Sequence, residues 1–245
     1  MSPSFQNRLL RALPPDDLGL LTPHFEAVPL KKGDVVVSPN KPFSHAYFPE
    51  SGLASVVSIT SDGRRLEVGL FGREGMLSTA LVLGADRTPH ETFLQVEGTW
   101  LRIEADRLRA AMRQSPPLTD LLMRYVQTFL LVLSQTALSN GTYMVEERLA
   151  RWLLMAHDRL DGDDLPLTHE FLSIMLGVQR TSVTLATQVL EGEGMIRAQR
   201  GRITVLDRVA LERMAGDSYG VAEREYERLI GLLRSEISAA RSAPS

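Results

Sequence analysis

The side chains best placed to do chemistry are Arg180, Thr181, Thr184 and Gln188, which fall on one face of a short segment within Leu167 to Ile196, LTHEFLSIMLGVQRTSVTLATQVLEGEGMI. A guanidinium, two hydroxyls and an amide offered together can hydrogen-bond the edges of base pairs, so the chemistry they suggest is recognition of duplex DNA. Two amphipathic segments must hold them. In the first, Leu167, Phe171, Ile174 and Met175 recur at helical spacing after Thr168, which stands where an N-cap belongs, and Gly177 ends the run. In the second, Val183, Ala186, Val189 and Leu190 form an apolar stripe that turns the polar residues outward. The pair reads as a helix-turn-helix. Ile196 to Gln199 and Arg202 to Leu206, joined at Arg200-Gly201, read as a β-hairpin behind it, which makes the winged variant.

Charge supports this only weakly. The chain of 245 residues carries a net charge of -3, whereas phosphate neutralisation drives most DNA affinity. Between Val178 and Leu206, however, Arg180, Arg197, Arg200 and Arg202 outnumber Glu191 and Glu193, so this end is locally basic. An apolar fraction of 44% predicts globular units with ordinary cores, one or two in number, and no run approaches the ~18 apolar residues of a membrane span. The first residues, MSPSFQNRLLRALPPDD, lack the basic and apolar regions of a secretory signal, so the cytoplasm is the expected compartment and no membrane is an expected partner. Cysteine is absent, which excludes disulfides and thiolate-held iron-sulfur clusters within the chain.

Upstream, residues 4 to 13 and 16 to 25 read as short helices separated by Pro14-Pro15. From Ala27 to Ile103 valines and aromatics are punctuated by turn residues every ten or so positions, as in an antiparallel sandwich or barrel; Asp62-Gly63 is the best hairpin signal, and Glu91 to Ile103 closes the block. A long helix then runs from Pro116-Pro117 to Asn140-Gly141, the latter a plausible cap and hinge. Leu118, Leu122, Tyr125, Phe129, Val132, Thr136 and Ser139 alternate at four and three, the repeat of a coiled-coil seam, while Leu121, Leu130, Leu133 and Ala137 form a neighbouring stripe that can face the β block. A single wide core face within a monomer is the alternative. Val145 to Leu160 reads as another helix with Leu149, Trp152, Leu153 and Ala156 inward, and Tyr219 to Ala240 as a tail with Tyr226, Leu229, Leu232, Leu233 and Ile237 on one face. The expected class is α+β: an antiparallel, jelly-roll-like β-roll over 1–115, a dimerisation helix over 116–141, a winged helix-turn-helix over 142–216 and a helical extension over 217–245.

In this order, and with Thr168, Leu172, Leu176, Gly177, Arg180, Ser182, Val183, Leu190, Glu191, Gly194 and Ile196 matching TxxxLxxxLGxxRxSVxxxxxxLExxGxI, the chain from about Leu20 to about Met214 resembles the Crp/Fnr family of bacterial transcription regulators. The resemblance implies a homodimer formed along the 116–140 helix through Leu118, Leu122, Tyr125, Phe129, Val132 and Thr136, binding a roughly palindromic duplex site, with RNA polymerase as a further partner. Arg180 is the first choice for base readout, since a guanidinium can donate two bonds to guanine; a phosphate contact, or a salt bridge to Glu191 or Glu193, is the alternative. Thr181 and Leu185 stand where well-known members carry a glutamate and an arginine that read bases, so the familiar family operator does not transfer. Thr168, His169, Gln179, Ser182 and Arg200 are candidates for phosphate contacts, although His169 also suits a solvated helix start.

The expected effector pocket is Gly72, Arg73, Glu74, Gly75, Arg87 and Thr88. Cyclic-nucleotide-binding members carry a Gly-Glu pair and, about ten residues on, an Arg-Ser or Arg-Thr pair. Here Arg73 takes the glutamate position and Arg87-Thr88 lies 13 residues past Glu74, which argues against the usual cyclic AMP site and leaves the effector, or its existence, open. The five histidines are scattered, without metal-site spacing, and the nine methionines sit mainly in apolar stripes. No GxxxxGK[ST] or GxSxG motif points to an enzyme. The competing reading is a ligand-sensing module that acts through protein contacts without binding DNA.

Overall fold

The computed structural model describes residues 5–233 and divides into two compact units that meet between Leu133 and Ser134. The first unit opens with α1 (Arg8–Arg11) and α2 (Pro15–Leu21), the latter started by proline and carrying Asp16 and Asp17 in its first turn, where carboxylates suit the helix dipole. Ser4, part of the expected first helix, and Ile237, part of the expected tail, lie outside the described residues. Seven strands follow: β1 (Glu26–Leu30), β2 (Val35–Val37), β3 (His45–Pro49), β4 (Leu53–Ile59), β5 (Arg65–Phe71), β6 (Glu91–Val96) and β7 (Gly98–Glu104), with the single-turn α3 (Thr79–Val82) between β5 and β6. They form two antiparallel sheets, ordered β1-β7-β3 and β2-β6-β4-β5. The Asp62-Gly63 turn joins β4 to β5 as the hairpin signal predicts, with Gly63 at φ +82°. Phe48, Leu53, Leu70, Leu94, Trp100 and Ile103 supply the fully buried side chains.

After β7 come α4 (Ala105–Gln114) and α5 (Pro116–Thr142), a helix that begins in the first unit and ends in the second. By length and composition α5 could cross a membrane, but Leu118, Leu121, Leu122, Tyr125, Val126, Phe129 and Val132 are buried, as in a core helix. The Phe129 ring stacks on Phe71 with centroids 4.4 Å apart, and it fills the space left by Gly69, where a Cβ would come within 2.7 Å of the ring. Tyr125 does the same at Gly75, where a Cβ would lie 1.8 Å from its hydroxyl. Leu118, Leu122 and Val132 are buried along the same face.

This corrects the expected seam. Leu118, Leu122, Tyr125, Phe129 and Val132 pack within the chain, and the Thr136 hydroxyl, half-buried, accepts from Arg151 at 3.3 Å. The stripes have exchanged roles in part: Leu121 is buried and Leu133 packs at Gly69, but Leu130 and Ala137 point outward. The outward face reads Met123, Gln127, Leu130, Ser134, Ala137 and Gly141, again at four-three spacing. The helix also continues through Asn140-Gly141 to Thr142, because the Asn140 side chain accepts from Arg148 instead of capping.

The second unit adds α6 (Val145–His157), β8 (Asp164–Leu165), α7 (His169–Leu176), α8 (Arg180–Gly192), β9 (Ile196–Gln199), β10 (Arg202–Val205), α9 (Arg208–Ala215) and α10 (Val221–Leu229). Leu149, Trp152, Leu153 and Ala156 of α6 are buried as expected. In the tail Tyr226 and Leu233 are buried while Leu232 is exposed, so the helical face breaks after α10. A polar network locks the unit around the end of α6. Arg208 pairs with Asp158 at 2.8 Å, and Tyr219 donates to the other Asp158 oxygen at 2.7 Å. A guanidinium only donates, so the His157 Nδ1 facing Arg208 at 3.2 Å must accept; the ring proton then sits on Nε2 and points at Asp163, 2.8 Å away. Burial raises the Tyr219 pKa and the neighbouring Asp158 charge raises it further, so the phenol stays protonated. Burial is the largest single influence and works against the Arg208 charge, but Asp158, Tyr219 and Glu212 together outweigh it and the net shift is upward.

Two stability measurements follow from this packing. Phe129→Ala empties the slot above Gly69 and should cost about 3 to 5 kcal/mol in denaturant unfolding; a loss under 1 kcal/mol would mean the ring is not core. Asp158→Ala leaves the largely buried Arg208 with Glu212 as its remaining carboxylate and takes away the acceptor of the Tyr219 hydroxyl, and should cost about 1 to 3 kcal/mol; an unchanged melting profile would show the network to be idle.

Candidate nucleic-acid interface

The helix-turn-helix is built from local signals. Thr168 is extended, and its hydroxyl accepts from the Phe171 amide at 3.3 Å, which starts α7. Gly177 stops that helix in the left-handed conformation, φ +61°, where its N–H reaches the Ser173 carbonyl. Leu172, Met175 and Leu176 supply the buried side of α7, with Phe171 and Ile174 only half-buried. On α8 the inward face is Val183, Ala186, Thr187 and Leu190; Val189, expected inside, is 40% exposed. The reason is geometric: Val183, Ala186, Thr187 and Leu190 follow i, i+3, i+4, i+7, and position 189 lies off that line. Thr187 pays nothing for burial because its hydroxyl donates to the Val183 carbonyl at 2.8 Å.

Of the residues expected to meet bases, Arg180, Thr181 and Gln188 are exposed, as is Leu185 at 62%. Thr184 is half-buried. Its hydroxyl donates to the Arg180 carbonyl at 3.0 Å and lies 3.3 Å from His169 Nδ1, so it ties the two helices together. Arg180 does form an ion pair, but neither Glu191 nor Glu193 is the partner: its Nη2 lies 2.8 Å from Oε1 of Glu170, on the first turn of α7. Pattern reading passed over Glu170 because a carboxylate at a helix start needs no further explanation. Glu191 instead accepts from the Ala198 amide at 2.9 Å, which anchors the wing to α8. Among the phosphate candidates, Gln179 and Arg200 are exposed, Ser182 and His169 are half-buried, and the Thr168 hydroxyl is engaged as the cap. Arg200 sits at the tip of the β9–β10 hairpin beside Gly201, φ +77°, and β8 joins that hairpin as a third strand.

Among the cavities described, none brings the expected effector residues together. The cavity between β-strands and α5, about 70 Å³, is lined by Val56, Phe71, Phe129, Thr88, His90 and Thr92 among others, and no arginine, lysine or carboxylate belongs to its described lining. Of the six expected residues only Thr88 lines it. Gly72 to Gly75 form a tight turn held from outside: Arg8 donates its amide to the Arg73 carbonyl at 2.7 Å, and Asn7 reaches the Gly75 carbonyl at 2.8 Å. Glu74 is buried and accepts from the Gly72 amide at 3.2 Å. Arg87 is exposed and paired with Asp86 at 2.9 Å.

Residues 27–115 match the model of the cyclic nucleotide-binding domain, and residues 147–214 that of the Crp-like helix-turn-helix domain. The transcriptional regulator SdrP of Thermus thermophilus is 26% identical over 198 residues, which cover 78% of this chain and 94% of SdrP. Among solved structures, FixK2 from Bradyrhizobium japonicum superposes with a TM-score of 0.68 at 16% identity, covering 78% of this chain and 98% of FixK2. A CRP-family transcriptional regulator from Thermus thermophilus gives a TM-score of 0.65 at 20% identity, covering 78% and 97% respectively. With a cyclic nucleotide-binding-like domain, a long helix and a Crp-like winged helix-turn-helix in that order, the chain belongs to the Crp/Fnr family of transcriptional regulators.

Proposed function

We propose that this regulator acts as a homodimer whose two α8 helices enter successive major grooves of a roughly palindromic site, about one helical turn apart. The observation that carries this is the outward stripe of α5: Met123 and Leu130 on it are each nearly half exposed, as is Leu138 beside it, although all three belong to a helix whose other face is core. Exposed leucine and methionine at coiled-coil spacing suit a second copy of the same helix, related by a two-fold axis. Arg180 reads a base, Thr181 and Gln188 contribute neighbouring contacts, and Arg200 at the wing tip and Gln179 contact phosphates. Leu185 offers only an apolar contact, so the operator departs from one read by an arginine there.

The β-roll residues do not fit a cyclic nucleotide. Arg73 does not line the cavity and its carbonyl is held by Arg8, Arg87 is paired with Asp86, and the cavity is about half the size of the ~150 Å³ space that takes up benzene in an engineered core. Any effector is therefore smaller or differently placed. RNA polymerase remains the natural further partner, and the cytoplasm the place of action.

Leu130→Glu should convert the dimer to monomers in sedimentation equilibrium while leaving the melting temperature of the first unit unchanged; a persisting dimer would refute the seam. Arg180→Ala should weaken binding to the selected site by about 1 to 3 kcal/mol. An equal loss on random duplex would show that Arg180 contacts phosphate.

A further inference from the structure

We propose that Glu170 is a positioning residue for DNA readout, one that holds Arg180 by one edge of its guanidinium so that the other edge faces a base. This rests on the reading of Arg180 as the base contact. The pair joins the first turn of α7 to the first residue of α8 across 2.8 Å, and both side chains are about two-thirds exposed, 64% for Arg180 and 65% for Glu170. An ion pair that open adds little to folding, because water and salt screen it. It is also placed against electrostatic advantage: a carboxylate on the face that DNA approaches repels phosphate and cancels a charge from a surface that is only weakly basic. Stability and general attraction to DNA therefore both argue against an acid at 170.

Geometry supplies the compensating role. A guanidinium has five N–H donors in a planar fork, and Glu170 takes one terminal nitrogen, Nη2. Two parallel bonds to O6 and N7 of a guanine need the rest of the fork held in one orientation, and a long exposed arginine loses rotamer freedom to adopt it. Glu170 removes that freedom before DNA arrives. The His169–Thr184 contact, one residue back on α7 and one turn further along α8, keeps α7 and α8 in the register that the pair requires. On the right base Arg180 keeps Glu170 and gains the O6 and N7 pair of guanine; on a wrong base the held guanidinium meets at most one acceptor, while Glu170 still repels the backbone.

The test uses the full-length protein. Duplexes are selected from a randomised pool by the unaltered chain, and affinities are then measured for the selected duplex and for the same duplex with the contacted guanine exchanged, using the unaltered chain, Glu170→Gln, Arg180→Ala and the double variant. Glu170→Gln should bind the exchanged duplex more tightly and reduce discrimination between the two by about three- to fivefold, the scale of an exposed ion pair, with the melting temperature unchanged. In the Arg180→Ala background Glu170→Gln should no longer alter discrimination. Discrimination that survives Glu170→Gln while Arg180→Ala abolishes it would overturn the role of Glu170 alone. Discrimination that survives Arg180→Ala would overturn the base reading, and this inference with it.

Discussion

Everything about α5 depends on two glycines. Gly69 and Gly75 leave hollows in the β-roll that the rings of Phe129 and Tyr125 fill, so the helix can sit in only one rotation about its axis. Any Cβ at either glycine would collide with the ring above it. Once that rotation is set, the stripe through Met123, Leu130 and Ala137 is the one left facing outward. Which stripe is left exposed is thus a consequence of core packing in the first unit. The same ring, Phe129, also forms a wall of the roll's cavity.

In the second unit the reading surface is organised from behind. The Arg208–Asp158–Tyr219 cluster and His157 join the end of α6 to the start of α9 and to the residues before the wing. Arg148 reaches the carbonyl of Leu176 at the turn of the helix-turn-helix, and Glu191 reaches the wing. These bonds support α8 along its buried face, while Thr181, Gln188 and the Arg180 side chain, paired with Glu170, are exposed on its other side.

Much of this was legible in the sequence. Thr168 and Gly177 bound α7 through capping chemistry that depends on neighbouring residues only, and Asp62-Gly63 and Arg200-Gly201 mark hairpins for the same reason. The orientation of α5 was not legible from its own periodicity. Four-three spacing identifies stripes but is silent on which one meets the sheet, and the deciding signal lay elsewhere, in a glycine inside β5 that marks close approach. The effector residues were less legible: Gly72 to Gly75 and Arg87-Thr88 already depart from the family spacing, and only the fold shows that Arg8 and Asn7 take the Arg73 and Gly75 carbonyls and that Arg87 pairs with Asp86. Glu170 required the fold, because its partner is ten positions away on another helix.

The chain contains no cysteine, so a single introduced thiol can form a disulfide only between two copies. Oxidative cross-linking of Leu130→Cys, compared with Arg124→Cys on the adjacent exposed flank, tests the outward stripe directly. If Leu130 lies at a two-fold axis, its thiols meet within disulfide reach and Leu130→Cys becomes a covalent dimer while Arg124→Cys stays monomeric under denaturing conditions. Equal cross-linking at both positions, or none at Leu130, would contradict it.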